Sequence, residues 1–356
     1  MAGNARRWKI AVPLVSLALI GSWVHLSYNT NVLGDDELCG GLVSARAAEA
    51  AFSRTGRVSG DGGPGTRAGE ASFDCWLDNT SALPGSPDLE MHLYTTRDRG
   101  DEAFTGGGPG QAAITYFSGP ASGGVEKDHK AWVWLPPACL DGESMRVNAG
   151  LMSREGSADR VGLAALAVDA ANRLMDHLEC DADRLKAPLS IDATPVERDA
   201  DPGRLCGVPG FSLPAASTGR ARKIREVAPG ARVPLWTCFV ALEQAPDDSG
   251  DGRRDRGSGF ATYSVVQDPV VIDGIKRSKG YAEESPIDGR PVTGFDPTHI
   301  VATCAGKETY FAMEIGTQQL RSWEKPGAPR DAELFRSFVE KAGPSFGCTD
   351  ISGAAR

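Results

Sequence analysis

Eight cysteines are the residues of this chain whose type and spacing most clearly indicate chemistry. They are spaced by 36, 64 and 41 residues in a first quartet and by 32, 66 and 44 in a second. No Cys-x-x-Cys pair is present, so structural disulfides are favoured over redox or zinc chemistry. The quartets are Cys39, Cys75, Cys139 and Cys180, and then Cys206, Cys238, Cys304 and Cys348.

Each quartet can pair internally in three ways. We prefer first with second and third with fourth, because a helix that folds back over its hairpin brings the following cysteine near a hairpin strand. First with fourth and second with third stays open as the alternative. The preferred pairs are Cys39–Cys75, Cys139–Cys180, Cys206–Cys238 and Cys304–Cys348.

Two common motifs of catalysis and cofactor binding are missing from the sequence, the HExxH zinc motif and the phosphate loop. His177 lies on or near the apolar side of a predicted helix, where a packed boundary role is favoured over a ligand role. The sequence therefore predicts no catalytic residue, cofactor or metal. The histidines, which form no pair at i+3 or i+4, are His25, His92, His129, His177 and His299.

Three weaker signals favour structural interpretations. Residues 247–252 imitate the start of a calcium loop, but Ser258 stands where a bidentate Glu is needed, so a solvated loop is preferred. The basic stretch Arg220–Arg225 is interpreted as a solvated face rather than a site for an anionic polymer. Trp132 and Trp134 share one face of a predicted strand, and core packing is favoured over a ligand platform.

The segment Ile10–Leu26 carries no charge and follows Arg6, Arg7 and Lys9. A basic flank before an apolar run is typical of both a cleaved signal peptide and a signal anchor. No small-residue cleavage site follows the run, so an uncleaved transmembrane helix with a cytoplasmic N-terminus is preferred. The rest of the chain is then extracytoplasmic.

The net charge of −9 becomes more negative once the three N-terminal cations are set aside. Such a charge argues against nucleic acid as a partner. The predicted partners are a membrane, through the N-terminal helix, and an unknown envelope component or protein.

The two cysteine quartets indicate an internal duplication. Leu38-Cys39-Gly40 matches Leu205-Cys206-Gly207, and each copy closes with two apolar runs and an amphipathic helix before its last cysteine. The predicted hairpin strands are 131–135 with 145–151 and 300–304 with 309–315. In the first copy residues 44–54 predict a helix capped by Ser44, whereas Pro209 and Pro214 exclude the same helix from the second. The glycine-rich segment 56–69 is predicted to be a loop.

These motifs resemble a domain of unknown function found in secreted or lipid-anchored bacterial envelope proteins. The resemblance rests on Leu38-Cys39-Gly40 before a short helix, on Cys75-Trp76 in a strand and on the helix before Cys180. It implies an α+β fold and an envelope location, and it implies no activity.

The fold class predicted is α+β, with two related domains, each an antiparallel sheet with helices on one face, preceded by a single transmembrane helix. The predicted segments are 1–34 (tail and anchor), 35–182 (copy one), 183–202 (linker), 203–350 (copy two) and 351–356 (tail). The expected function is a membrane-anchored extracytoplasmic binding, sensing or scaffold protein of the cell envelope. The alternative is an envelope enzyme, such as a hydrolase that uses carboxylates outside any recognisable motif.

Overall fold

The structure is a computed structural model of the 356-residue chain. It describes residues 3–65, 71–81, 88–140, 144–153, 156–218, 221, 223–230, 233–243, 259–287, 290–323 and 327–348.

Within these ranges the helices and strands are numbered in chain order. The helices are α1 (Gly3–Asn29), α2 (Ala45–Ala51), α3 (Glu102–Thr105), α4 (Pro109–Ala112), α5 (Arg160–His177), α6 (Ala215–Thr218), α7 (Pro269–Arg277), α8 (Thr317–Ser322) and α9 (Asp331–Ala342). The strands of the first half are β1 (Glu37–Leu38), β2 (Val43–Ser44), β3 (Arg57–Pro64), β4 (Phe73–Thr80), β5 (Leu89–Asp98), β6 (Ile114–Phe117), β7 (Gly123–Glu126), β8 (Lys130–Trp134) and β9 (Ser144–Leu151). Those of the second half are β10 (Arg198–Asp199), β11 (Lys223–Val227), β12 (Leu235–Glu243), β13 (Ala261–Val266), β14 (Ala282–Ile287), β15 (Arg290–Asp296), β16 (His299–Cys304) and β17 (Lys307–Ile315).

Two large sheets have the same strand order. In the described part of the chain, the first sheet runs β3-β4-β5-β9-β8-β7-β6 and the second runs β10-β11-β12-β13-β17-β16-β15-β14. If β10 is set aside, each sheet places its first three strands in sequence and then its last four in reverse. A small β1-β2 pair makes the third sheet. The shared order is what a duplicated domain requires.

The strand register repeats as well. Cys75 of β4 lies opposite Leu93 of β5, and Cys238 of β12 lies opposite Tyr263 of β13. The residue after each cysteine also has an equivalent partner, because Trp76 faces His92 and Phe239 faces Thr262. Positions on the two sheets can therefore be compared one by one.

The two copies end in the predicted way. In copy two, Cys304 and Lys307 are paired around the turn Ala305-Gly306, and both turn residues have positive φ, 49° and 81°. Two residues with positive φ define the turn that suits the twist of a tight hairpin. In copy one, the corresponding Asp141-Gly142 turn lies outside the described residues. The amphipathic helices α5 and α9 follow, as expected from their apolar periodicity.

The first helix of copy one also forms as expected. Ser44 caps α2 and its hydroxyl oxygen accepts a hydrogen bond from the Ala47 N–H at 3.2 Å. Helix α2 lies so close to α5 that a Cβ atom at Gly162 would stand 2.0 Å from the Ala50 carbonyl oxygen. In copy two, the described residues of the equivalent segment form α6 and a 3-10 turn at Leu205–Gly207. The two prolines there prevent a longer helix.

The core of copy two is aromatic. Phe338 of α9 packs edge-on or tilted against Phe211, Tyr263 and Phe311, with ring centroids 4.7–6.4 Å apart. These four side chains are fully buried. Helix α9 therefore closes one face of the second sheet.

The chain contains two compact units. The first contains Met1–Thr96, Asp128–Val133 and Val147–Leu189. The second contains Arg97–Lys127, Trp134–Arg146 and Ser190–Arg356. Copy two thus forms a unit with two segments of the first copy.

The predicted transmembrane helix is wrong. In the described part of the chain, no helix combines the length and the apolar character that a membrane crossing needs. The charge-free run Ile10–Leu26 has 17 residues, about 26 Å at ~1.5 Å per residue, against a hydrocarbon core of roughly 30 Å. It is also interrupted by Ser16, Ser22 and His25. The predicted fold class is corrected accordingly.

Two further expectations need correction. Sheet content dominates the described chain, and the second sheet has helices near both faces instead of one, because α4 packs on β12 opposite the aromatic core. The segment 56–69, predicted to be a loop, contains strand β3, which pairs with β4 along its whole length. Pairing with a neighbouring strand outweighed the low strand propensity of its glycines.

Candidate functional site

The eight predicted cysteines are all disulfide-bonded. Bonds join Cys39 to Cys75, Cys206 to Cys238 and Cys304 to Cys348. This is the first-with-second and third-with-fourth pattern that the sequence favours. Cys139 and Cys180 are also in disulfide form, and the structure has no free cysteine. Four disulfides indicate an extracytoplasmic protein, because thiols in reducing compartments rarely stay paired.

The backbone conformation explains why the Leu-Cys-Gly motif occurs in both copies. Cys39 and Cys206 both adopt left-handed φ angles, 55° and 59°, and the following Gly40 and Gly207 adopt 65° and 70°. Glycine takes such angles at no steric cost. The motif therefore encodes a tight turn that aims the cysteine at the neighbouring strand.

One cluster has the composition of a metal site. Ligand atoms of Cys206, Glu226 and Cys238 lie within 4.8 Å of one another. The two sulfurs are bonded to each other, however, and the Glu226 carboxylate accepts hydrogen bonds from the Cys206 N–H at 2.6 Å and the Arg198 Nε–H at 2.8 Å. This buried carboxylate anchors the disulfide turn to β11.

The outer face of the first sheet carries a row of stacked rings. Trp76 and His92 have ring centroids 4.2 Å apart at 9°, and His92 and Tyr94 are 4.7 Å apart at 24°. Lys130 lies 5.8 Å from the Tyr94 ring centroid. The Trp76 side chain is 41% exposed, although aromatic residues are usually covered. We call Trp76, His92 and Tyr94 the aromatic row.

Carboxylates surround Trp76 on the same face. Asp61 of β3 lies directly across from Trp76, while Asp74 and Asp78 flank it two residues away along β4. Glu90 of β5 pairs with Asp78. Among the residues that the structure describes here, the one ion pair joins Asp74 Oδ2 to His92 Nε2 at 2.8 Å. The surroundings of Trp76 are therefore both aromatic and strongly acidic.

The same positions in copy two are covered by the chain itself. Val227, Phe239 and Ala241 stand where copy one has Asp61, Trp76 and Asp78. Ala112 of α4 packs against Val227 and Phe239, and Phe239 is 3% exposed.

Hydrogen bonds hold this covering segment in place. The Gly108 N–H donates to Thr262 Oγ1, and the Ser264 hydroxyl donates to the Phe104 carbonyl oxygen, both at 3.2 Å. Thr262 and Ser264 occupy the places of His92 and Tyr94. The outer face of copy two thus binds a polypeptide segment, residues 104–112.

A buried ion cluster lies in copy two. His299 Nδ1 is 2.9 Å from the Asp296 carboxylate and its Nε2 is 2.9 Å from Glu314 Oε1. Burial alone lowers the pKa of His299, but hydrogen bonds to the two carboxylates outweigh it and raise the pKa to about 9. Burial raises the pKa of Asp296, and its bond to His299 with the charge of that ring brings it down to about 2. The histidine is thus held as a cation that locks β15, β16 and β17 together.

Further carboxylates are engaged in structural contacts. Burial raises the pKa of Asp98 against the opposing effect of its partner Arg146. Asp101 is fully buried and accepts a hydrogen bond from the Tyr310 hydroxyl at 2.7 Å. Asp268 caps α7 and accepts hydrogen bonds from the Ser118 and Ser122 hydroxyls. Each of these three carboxylates thus has a hydrogen-bond partner on another element of the fold.

The remaining sequence candidates are placed as follows. His177 is exposed at the end of α5, so the packed role predicted for it is wrong. Trp132 and Trp134 are buried, and Trp134 stacks on Phe104 with centroids 5.9 Å apart, so core packing is confirmed for Trp134.

Two candidates involve residues whose placement is not described. The calcium-like stretch 247–252 lies outside the described residues. Within Arg220–Arg225, Lys223 and Arg225 form ion pairs with Asp199 of β10, which supports the interpretation of a solvated face.

Comparison with protein-family models, with curated proteins and with solved structures finds no match. The resemblance to an envelope domain of unknown function therefore stays a prediction.

Sequence reasoning missed the aromatic row. Its signal was present in β4, where Asp74, Trp76 and Asp78 alternate with buried residues. The same positions of β12 are Thr237, Phe239 and Ala241, and these uncharged side chains suit a face that another segment of the chain covers. An aligned comparison of the two copies would have found an aromatic residue ringed by charge in only one of them.

Proposed function

We propose that this protein is an extracytoplasmic binding module whose ligand docks on the aromatic row of the first sheet. The observation that carries the proposal is the contrast between equivalent faces: Phe239 is covered by residues 104–112, whereas Trp76 is 41% exposed. A sheet face that presents a large ring to solvent, rimmed by polar groups, is typical of an interaction surface.

The geometry supports binding by a preorganised surface. The Trp76 ring is held by stacking on His92, which Asp74 orients through a hydrogen bond of 2.8 Å. A ring fixed in this way loses little side-chain entropy when a ligand covers it. Rigid aromatic side chains are enriched among the residues that dominate binding energy for the same reason.

The test is a selection for binding with no assumption about ligand class. Wild-type protein, Trp76→Ala and Leu320→Ala are each screened against a displayed random-peptide library and a glycan array. Leu320 is the matched control, because it lies in copy two and is 43% exposed. We expect ligands that wild type and Leu320→Ala retain and Trp76→Ala loses. If no retained peptide or glycan depends on Trp76, the proposed function is wrong.

A further inference from the structure

The outer faces of the two sheets share their strand pairing and differ in their side chains, and three adjacent positions carry the contrast in charge. In copy two these positions are Val227, Phe239 and Ala241, and they receive the methyl side chain of Ala112. In copy one the same positions are an aspartate, a tryptophan and an aspartate. The second sheet thus holds a polypeptide segment on this face, and the charges at the equivalent positions bear on which side chain the first sheet can accept.

Copy one cannot accept an apolar side chain in the way copy two does. Covering Asp61 and Asp78 with a methyl group would remove two carboxylates from water without a cationic partner, which costs free energy. A cationic side chain lowers that cost, since it can pair with the carboxylates, offset part of their charge and lie over the exposed ring of Trp76. Arginine fits best, because its planar guanidinium stacks on an aromatic ring while its N–H groups donate to flanking carboxylates.

The wider charge pattern agrees. Asp74 and Glu90 extend the acidic surround, and Asp74 is 67% exposed even though it binds His92. The chain as a whole carries a net charge of −9. A basic partner would therefore be attracted at long range as well as at contact.

We propose that the aromatic row binds a polypeptide segment carrying an arginine or lysine side chain, which lies over Trp76 between Asp61 and Asp78. This inference rests on the proposed function, because it names the class of ligand for the same face. The occupant is a protein partner and not a neutral glycan or an anionic polymer.

The probe follows from the segment that copy two already holds. Three synthetic decapeptides are compared, FTGGGPGQAA, which is residues 104–113, and versions with arginine or glutamate at the ninth position. Binding is followed by chemical-shift changes of the Trp76 indole N–H in the intact chain. We expect the arginine peptide to bind about tenfold more tightly than the other two, and the preference to shrink as salt is raised.

A double variant, Asp61→Val with Asp78→Ala, gives copy one the side chains of copy two at the two acidic positions and keeps Trp76. It should lose the preference for the arginine peptide and gain affinity for the alanine peptide. Asp273→Asn, an exposed carboxylate of α7, is the matched charge control and should leave the preference unchanged.

The outcomes separate the two proposals. Equal binding of the three peptides, tighter binding of the glutamate peptide, or no Trp76-dependent binding of any peptide would overturn the inference. If the unbiased screen nevertheless yields neutral peptides or glycans that need Trp76, the proposed function stands and only the ligand class is wrong. If the screen yields nothing that needs Trp76, both fall.

Discussion

Single residues in this protein are fixed by partners that are distant in sequence. His299 is enclosed by Asp296, three residues before it, and by Glu314 on the neighbouring strand β17. The first contact is local enough to be suspected from the sequence. The second depends on the strand register, which places Ala312 opposite His299 and so brings the Glu314 side chain within reach.

The pH dependence of stability should reveal this cluster. The pKa of His299 is raised to about 9 in the folded protein, above ~6.5 for an unfolded chain. A raised pKa gives stability that is complete below ~6.5 and is lost as the pH rises through about 9, up to about 3 kcal/mol in all. Chemical denaturation of wild type and His299→Gln from pH 6 to 10 should show their difference shrinking. The exposed His177→Gln is the control, and a constant difference for His299→Gln would contradict the assignment.

Secondary-structure elements were predictable where their periodicity agreed with their surroundings. The helices α5 and α9 follow their apolar patterns, and the cap of α2 could be predicted as Ser44. Strand β3 could not be predicted, since a segment with three glycines has little strand propensity. It forms because all of its residues pair with β4.

The contact between α2 and α5 makes a sharp prediction. A Cβ atom at Gly162 would meet the Ala50 carbonyl oxygen at 2.0 Å, and backbone cannot move aside cheaply. Gly162→Ala should lower the free energy of unfolding by about 2 kcal/mol, despite the better helix propensity of alanine. Gly110→Ala in α4 is the matched control, because its Cβ would meet nothing within 4 Å. An unchanged stability for Gly162→Ala would show that the helices are farther apart.

The disulfide that ends copy two ties β16 to the end of the chain. Cys304 and Cys348 are 44 residues apart, and their Cα atoms lie 4.3 Å apart. Replacing both with alanine should cost about 3–4 kcal/mol, since the closed loop restricts the unfolded chain. Guanidinium denaturation of the double variant measures this. A double variant with the same free energy of unfolding as the wild type would contradict this prediction.

At the scale of the whole molecule, the duplication could be predicted from the cysteine spacing. Which of the two sheets has a covered outer face could not be predicted. The spacing of the quartets predicts two related sheets, and both have the same strand order. No periodicity marked residues 104–112 as a segment that covers a sheet, because a run of glycines with one proline carries no amphipathic pattern. The contrast between a covered and an open face arises only when the folded copies are compared.

The most direct measurement is oxidative footprinting of the equivalent residues Trp76 and Phe239 in the intact protein. Our account predicts rapid oxidation of Trp76 and protection of Phe239 in the free protein. Adding a peptide selected for binding should slow the oxidation of Trp76 at least severalfold. The oxidation rate of Leu320, which is similarly exposed but lies in copy two, should not change. Protection of Trp76 before any ligand is added, or oxidation of Trp76 at the same rate once the peptide is bound, would contradict the claim that this face is the binding site.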